Sequence, residues 1–495
     1  MNSIEFEIGI QRKFEHFWPL VVRVKQPDGL TIHAEGTLQL SEDDLIRLTQ
    51  EQENYLEYGT ILGKAVFRET VRETFVRTLR QSSQETTVRF LLSNEADSQD
   101  SVRSLHWERL CAPIDAGGEW NLLARDQRIP FSQYIPTIID RRFPPIGRLD
   151  LRALVIVASP SNLGKYNLVE FDVEQAVNTV RESLGEIPCD LLANIDGAMG
   201  PPTLEQLSEQ LTNAKKPYTI LHFVGHGKLL KDGETVLYLA TKDNEVQPVT
   251  AKQLLDELKY IGNKQGLPHL TFLCSCETAD PRAETGLRGL AQRLVRDLGM
   301  PAVVGMTRKV TMETALKLAQ KFYQRLREHG EVDLALDEAT AGLGHRQDIT
   351  VPALFSRLGG RPLFCDRLQD RELTDAEIDF GLAKLTELIA QRAPNATVLE
   401  ESFKEQVQIL EQTQGSQLPA ARQKRREALD ELNILCSQVV EISFDAIAAL
   451  DKKPPIYDAK CPFPGLSSFR EEKYHKFFIW ATTISNRVTT SSLKR

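Results

Sequence analysis

Between residues 149 and 367 short apolar runs alternate with amphipathic stretches, and this order restricts the fold more than any other feature of the chain. Ala153-Leu154-Val155-Ile156-Val157-Ala158 is unbroken by a polar residue. Such a run fits a strand covered on both faces of a sheet. A helix is predicted over 169–184, a strand over 189–192 and a helix over 203–212. Then come a strand over 218–224, a helix over 251–260 and a strand over 270–273. A helix over 287–298, a strand over 302–305 and a long amphipathic helix over 311–328 complete the series. Repeated strand–helix alternation predicts an α/β fold: a parallel-rich sheet with helices on both faces.

The flanks read differently. Residues 1–145 mix α and β signals. Alternation marks a strand over 30–38, and Val88-Arg89-Phe90-Leu91-Leu92 reads as another. Leu62, Val66, Val71, Phe75 and Leu79 suggest one long helix over 60–79. Pro144-Pro145 and Gly147 punctuate the end of this region. Beyond 369 no strand pattern is found. Segments 376–391, 398–412 and 420–440 carry apolar residues at helical spacing, which predicts a small helical module. The division expected is 1–145, 146–368, 369–452 and a tail over 453–495.

Composition narrows the function classes. With 495 residues and a 41% apolar fraction, the chain has material for about three packed domains. The formal net charge of -9 argues against a nucleic-acid partner, since phosphate neutralisation needs a basic surface. The tract Lys424-Arg425-Arg426 is followed by Glu427 and Asp430 and reads as a solvated helix face. No apolar run approaches the ~18 residues of a membrane span, and the first residues lack a signal-peptide pattern. A cytoplasmic protein without a membrane partner is expected. Seven scattered cysteines do not make a disulfide framework, so a special cysteine is more readily catalytic or metal-binding.

Two strands end in such residues. One ends Phe223-Val224-Gly225-His226-Gly227, the other Phe272-Leu273-Cys274-Ser275-Cys276. Sites in open parallel sheets form at the carboxyl ends of strands. Neighbouring strands would bring His226 and Cys276 to one rim, as a nucleophilic thiol and its general base require. Gly227 permits a tight turn, and the backbone N–H groups of Gly227 and Cys276 are candidates for an oxyanion hole. A helix starting near Gly286 is a further candidate to favour the thiolate. The histidine lies about 50 residues before the cysteine, as in caspases.

The region resembles the CHAT domain, a prokaryotic branch of the caspase and separase group of cysteine peptidases. The resemblance rests on His222-Phe223-Val224-Gly225-His226-Gly227 and Leu273-Cys274-Ser275-Cys276-Glu277-Thr278-Ala279. It extends to Gly289-Leu290-Ala291-Gln292-Arg293-Leu294, Gly299–Met306 and Phe322-Tyr323, and upstream to Leu105-His106-Trp107-Glu108-Arg109-Leu110. It implies a caspase-like peptidase domain over 146–368 preceded by a pseudo-caspase-like part. It implies His226 as base, Cys276 as nucleophile and peptide-bond hydrolysis through an acyl-enzyme, with a protein as substrate and no cofactor. A role in bacterial defence or programmed cell death is implied as well. In related peptidases the residue two before the nucleophile lines the primary pocket; here that is Cys274. The alternative is a silent interaction module.

The tail Cys461-Pro462-Phe463-Pro464-Gly465-Leu466-Ser467-Ser468-Phe469-Arg470, with Phe477-Phe478, resembles the N-terminal edge of a STAND-type NTPase domain. That implies a regulatory NTPase region or another sensor as partner. The usual Gly-Arg-Glu is replaced by Ile479-Trp480-Ala481 and the chain ends at Arg495, so a truncated edge is expected.

Other matches fail on chemistry. Cys274 and Cys276 have no second cysteine pair to complete a structural zinc site. Cys276 to Arg282 has phosphatase-loop spacing, but Glu277, Asp280 and Pro281 oppose anion binding. Ser159 to Tyr166 resembles a P-loop that lacks its first glycine and its hydroxyl position, so it reads as a loop beside a substrate groove. His222, inside its strand, reads as core or as support behind the site.

Overall fold

The computed structural model describes residues 2–27, 30–50, 54–82, 86–97, 100–113, 119–135, 146–214, 216–262, 267–276, 289–343, 350–365, 373, 375–392, 397–414, 419–439 and 444–448. The chain divides into two compact units, one built from residues 1–27 and 31–366, the other from 28–30 and 367–495.

The larger unit is a mixed α/β structure around an 11-stranded sheet. Its strand order is Cys189–Ala193, Ala153–Ala158, Ile220–Gly225, Leu270–Cys274, Ala302–Met306, Pro352–Ser356, Phe131–Tyr134, Thr86–Asn94, Asn2–Ile10, Trp18–Lys25, Thr31–Leu38. The first five strands run parallel. The strand Pro352–Ser356 turns antiparallel to Ala302–Met306. It then runs parallel with the next three, which form a second block. The last two strands close the edge as antiparallel ribbons. One sheet thus runs through residues 2–356.

Side-chain alternation explains the layering. Along Ala153–Ala158, residues 153, 155 and 157 belong to one buried cluster and residues 154, 156 and 158 to another. The first cluster includes the helices Val173–Leu184, Met312–His329 and Val332–Ala341; the second includes Leu204–Asn213, Ala251–Gly262 and Leu290–Leu298. Both faces are therefore covered by helices, as a continuous apolar strand requires. The second block is different. Ile4, Phe6 and Ile8 are buried while Glu5 and Glu7 between them are partly exposed, the period of a strand with one packed face.

Some elements depart from the sequence reading. The helix expected over 60–79 is two helices, Tyr55–Val66 and Glu69–Gln81. The step from Val66 to Val71 is five residues, which leaves the helical stripe, and buried Phe67 occupies the break. The helix expected from 169 starts at Val173, because the Asp172 side chain accepts the Gln175 N–H as N-cap. Residues 169–172 are freed as loop. A small antiparallel sheet, Gly227–Leu229, Thr235–Ala240 and Val246–Thr250, follows the histidine strand.

The second unit is helical: Asp375–Arg392, Thr397–Thr413, Pro419–Val439 and Phe444–Ala448. Its core gathers Ile378, Leu385, Phe403, Leu410, Leu432 and Phe444. Gly381 is required there, since a Cβ would lie 2.8 Å from the Phe444 ring. The NTPase-like tail lies outside the described residues.

Candidate active site

The histidine strand (Ile220–Gly225) and the cysteine strand (Leu270–Cys274) are parallel neighbours, with Val224 opposite Cys274. His226 and Cys276 each follow two residues later. The register therefore carries both to the same level of the same carboxyl rim, where open sheets form their sites. Both side chains are half-exposed. Each of the pair makes a hydrogen-bonding contact with a backbone group. His226 Nε2 lies 2.7 Å from the Val169 carbonyl oxygen. Cys276 Sγ lies 3.5 Å from both the N and the O of Val310.

The Val169 contact fixes a tautomer. A carbonyl only accepts, so Nε2 carries the hydrogen, and Nδ1 of the neutral ring holds the lone pair. The Phe171 ring packs edge-on against the imidazole at 5.9 Å. Val169 belongs to the loop freed by the late start of the Val173–Leu184 helix. Sequence reading missed it, because a backbone carbonyl leaves no residue signature. The one available signal was Asp172, a capping residue inside the expected helix.

Gly227 opens the strand Gly227–Leu229 and pairs with Leu237. Tyr238 N–H donates to the His226 carbonyl at 3.0 Å, and Leu230 N–H to Glu234 at 2.9 Å. In an antiparallel ladder hydrogen-bonded pairs alternate with non-bonded ones. Gly227 and Leu237 are hence a non-bonded pair, and the Gly227 N–H points away from its partner strand.

Beneath the rim His222 is fully buried. Its Nδ1 lies 2.9 Å from the Tyr323 hydroxyl and its Nε2 3.8 Å from Cys274 Sγ. Burial pushes the His222 pKa down to about 3, so the ring is neutral. Burial likewise raises the Cys274 thiol. Cys274 is 1% exposed and packs in the core, so it does not line an open pocket. The two-residue period of the strand turns it onto the face covered by the Met312–His329 helix.

The Trp-Glu element forms a buried 3₁₀ turn, Trp107–Arg109, with Glu108 on His106 Nδ1 at 2.8 Å. The loop after Ala153–Ala158 shows no phosphate cradle. Ser159 Oγ accepts the Phe171 N–H at 3.0 Å, and Leu163–Tyr166 is a 3₁₀ turn with Leu163 buried. The expected helix start near Gly286 and the position of Arg282 lie outside the described residues; the helix is described from Leu290. Among the described residues no group of His, Cys, Asp or Glu is placed to hold a metal ion. No described helix is long and apolar enough to cross a membrane.

A thiol and an imidazole at neighbouring strand ends, on a mostly parallel sheet covered by helices, define a cysteine-peptidase-like α/β architecture. The chain belongs to the CHAT domain family, whose model matches residues 122–485. No curated protein matches it. Solved structures similar to it include the Arg-specific cysteine proteinase gingipain R (RgpB), at 11% identity and a TM-score of 0.38, covering 64% of this chain and 76% of that one. A complex of the pro- and mature domains of RgpB from Porphyromonas gingivalis gives 12% identity and a TM-score of 0.37, covering 64% and 77%.

Proposed function

We propose that the chain is a CHAT-type cysteine endopeptidase in which His226 and Cys276 form the reacting dyad. The observation that carries this reading is the register of the two neighbouring strands, with Val224 opposite Cys274. The Nδ1 lone pair of His226 takes the proton of the Cys276 thiol while Nε2–H stays on Val169. The thiolate attacks the scissile carbonyl and forms a carbon–sulfur bond. The backbone N–H of Gly227, turned away from its own hairpin, and that of Cys276 hold the oxyanion. His226 then gives its proton to the leaving amine as the carbon–nitrogen bond breaks. A water attacks the acyl-enzyme, the carbon–sulfur bond breaks and the thiol is restored.

The substrate is a protein and no cofactor takes part. A cytoplasmic setting and a bacterial defence or cell-death role, under a STAND-type NTPase region or another sensor, are part of the same reading. They rest on the family resemblance and on the tail over 453–495.

A second reading is a catalytically silent interaction module. It is favoured by one observation: the Val310 carbonyl oxygen lies 3.5 Å from the sulfur, where it accepts from a protonated thiol. Cleavage profiling of a peptide library separates the two. Peptidase activity predicts discrete cleavage sites that vanish with Cys276→Ala. Cleavage unchanged in that variant, or no cleavage by a wild-type chain whose Cys276 resists electrophiles, supports the silent module.

A further inference from the structure

The contacts beneath Cys276 form a chain with one consistent direction. His222 is neutral, so one ring nitrogen donates and the other accepts. If His222 Nδ1 donated to Tyr323, the buried Tyr323 hydroxyl hydrogen would have no described acceptor. A hydroxyl hydrogen left unpaired in the core is costly. With Tyr323 O–H donating to Nδ1 at 2.9 Å, Nε2–H points to Cys274 Sγ at 3.8 Å and the Cys274 S–H points to the Ala315 carbonyl at 3.7 Å. Every donor then has an acceptor. The chain begins and ends on one helix, Met312–His329, and crosses both strands that lead to the site.

This helix also reaches the rim. Thr311 is its N-cap, accepting the Thr314 N–H at 3.2 Å, and Val310 precedes it. Cys274 and Cys276 are two residues apart along the cysteine strand's path. The first meets Ala315, and the second meets Val310 at 3.5 Å. The two sulfurs thus form successive rungs between the strand and the start of the helix. The Val310 carbonyl oxygen, also at 3.5 Å, accepts from the protonated thiol; once the proton leaves, the Val310 N–H is the partner that holds the sulfur, and an N–H aimed at a sulfur favours its thiolate form.

We propose that Tyr323, His222 and Cys274 are positioning residues: their buried hydrogen-bond chain locks the Met312–His329 helix so that the Val310 N–H stabilises the thiolate of Cys276. This deepens the peptidase reading, because it assigns a source of thiolate stabilisation to the same nucleophile. Breaking the chain lets the helix start drift from the sulfur while the aromatic packing of residue 323 against Phe272 and Phe322 is kept.

The test is alkylation of the full chain by iodoacetamide, with the Cys276 adduct followed by peptide mass spectrometry across pH. Tyr323→Phe is compared with wild type. The titratable and basic residues on the neighbouring elements, His226 at the adjacent strand end and Arg308 and Lys309 just before Val310 in the chain, are the same in both. Removing the hydroxyl should slow Cys276 alkylation at neutral pH about fivefold, the worth of one ordinary hydrogen bond, and move its pH midpoint upward. Half-exposed Cys189 serves as the internal reference and should not change. Cys274→Ala cuts the chain elsewhere and should give the same shift, which covers the case in which Tyr323→Phe fails to fold. A folded variant of either kind with an unchanged Cys276 rate and midpoint overturns the proposal. The measurement does not need peptide cleavage. A shift without any cleavage would keep the positioning chain and sink the peptidase reading, and cleavage without a shift would do the reverse.

Discussion

The two parallel blocks of the sheet bury polar groups in opposite ways. In the second block Arg89, 2% exposed, sits between Glu331 and Asp333 in a buried ion cluster. Burial works against its charge, but the two carboxylates outweigh that and hold it above the ordinary arginine range. Asp337 nearby accepts the Phe131 N–H at 2.9 Å, with burial raising its carboxyl. In the first block the buried trio of His222, Cys274 and Tyr323 carries no charge. A charge in a core persists only when its partners enclose it. Under an open rim, where the proposed dyad would admit a substrate, such closure is hard to maintain, and neutral hydrogen-bonded groups avoid the problem. The charged cluster belongs to the stability of the fold, and the neutral one lies within reach of chemistry.

That division predicts different consequences on the two sides. The largest effect should come from His226→Ala, which should lower peptide cleavage by about 10³- to 10⁴-fold with little change in melting temperature, as for loss of a base in comparable dyads and triads. A comparable loss of melting temperature would move His226 to the structural side. Arg89→Met leaves two carboxylates buried without a cation and should destabilise the chain by about 3–5 kcal/mol, read by urea unfolding. The cleavage rate per folded molecule should be unchanged.

His222 gives a smaller, pH-dependent effect. Its pKa is lowered on folding to about 3, so the unfolded chain binds more protons below the ordinary histidine value. Its contribution is lost as the pH falls from about 6.5 toward 3, and this residue alone should make the chain about 2 kcal/mol less stable at pH 5 than at pH 7. His222→Gln should remove that part of the slope in pH-dependent denaturation, and a slope equal to wild type would mean that the ring charges inside the fold. The smallest effect should be Lys317→Ala, which breaks an exposed i,i+4 pair with Glu313 on the outer side of the Met312–His329 helix. About 0.5 kcal/mol or less is expected, and no change in Cys276 alkylation.

The first block was the legible one. Its strands are continuous apolar runs because both faces are covered, and such runs are hard to mistake. His226 and Cys276 stood out because they interrupt those runs at strand ends. The second block alternates more quietly. Ile4-Glu5-Phe6-Glu7-Ile8 carries the period of a one-faced strand, yet it was not read as one. The antiparallel step between Ala302–Met306 and Pro352–Ser356 depends on long-range pairing that no local pattern encodes. At the site, side chains were readable and backbone groups were not. The Val169 carbonyl, the Val310 amide and the outward N–H of Gly227 follow from loop paths and ladder register. Cys274 was expected at a pocket wall, and the strand's alternation places it in the core.

The dyad itself is tested most directly by labelling the intact chain with an electrophilic peptide probe and locating the adduct by mass spectrometry. The account predicts one dominant adduct on Cys276, absent from Cys276→Ala and slowed by about 10³-fold or more in His226→Ala, in line with loss of the general base. Cys276 labelling at the wild-type rate in His226→Ala, or a dominant adduct on another cysteine, would contradict it.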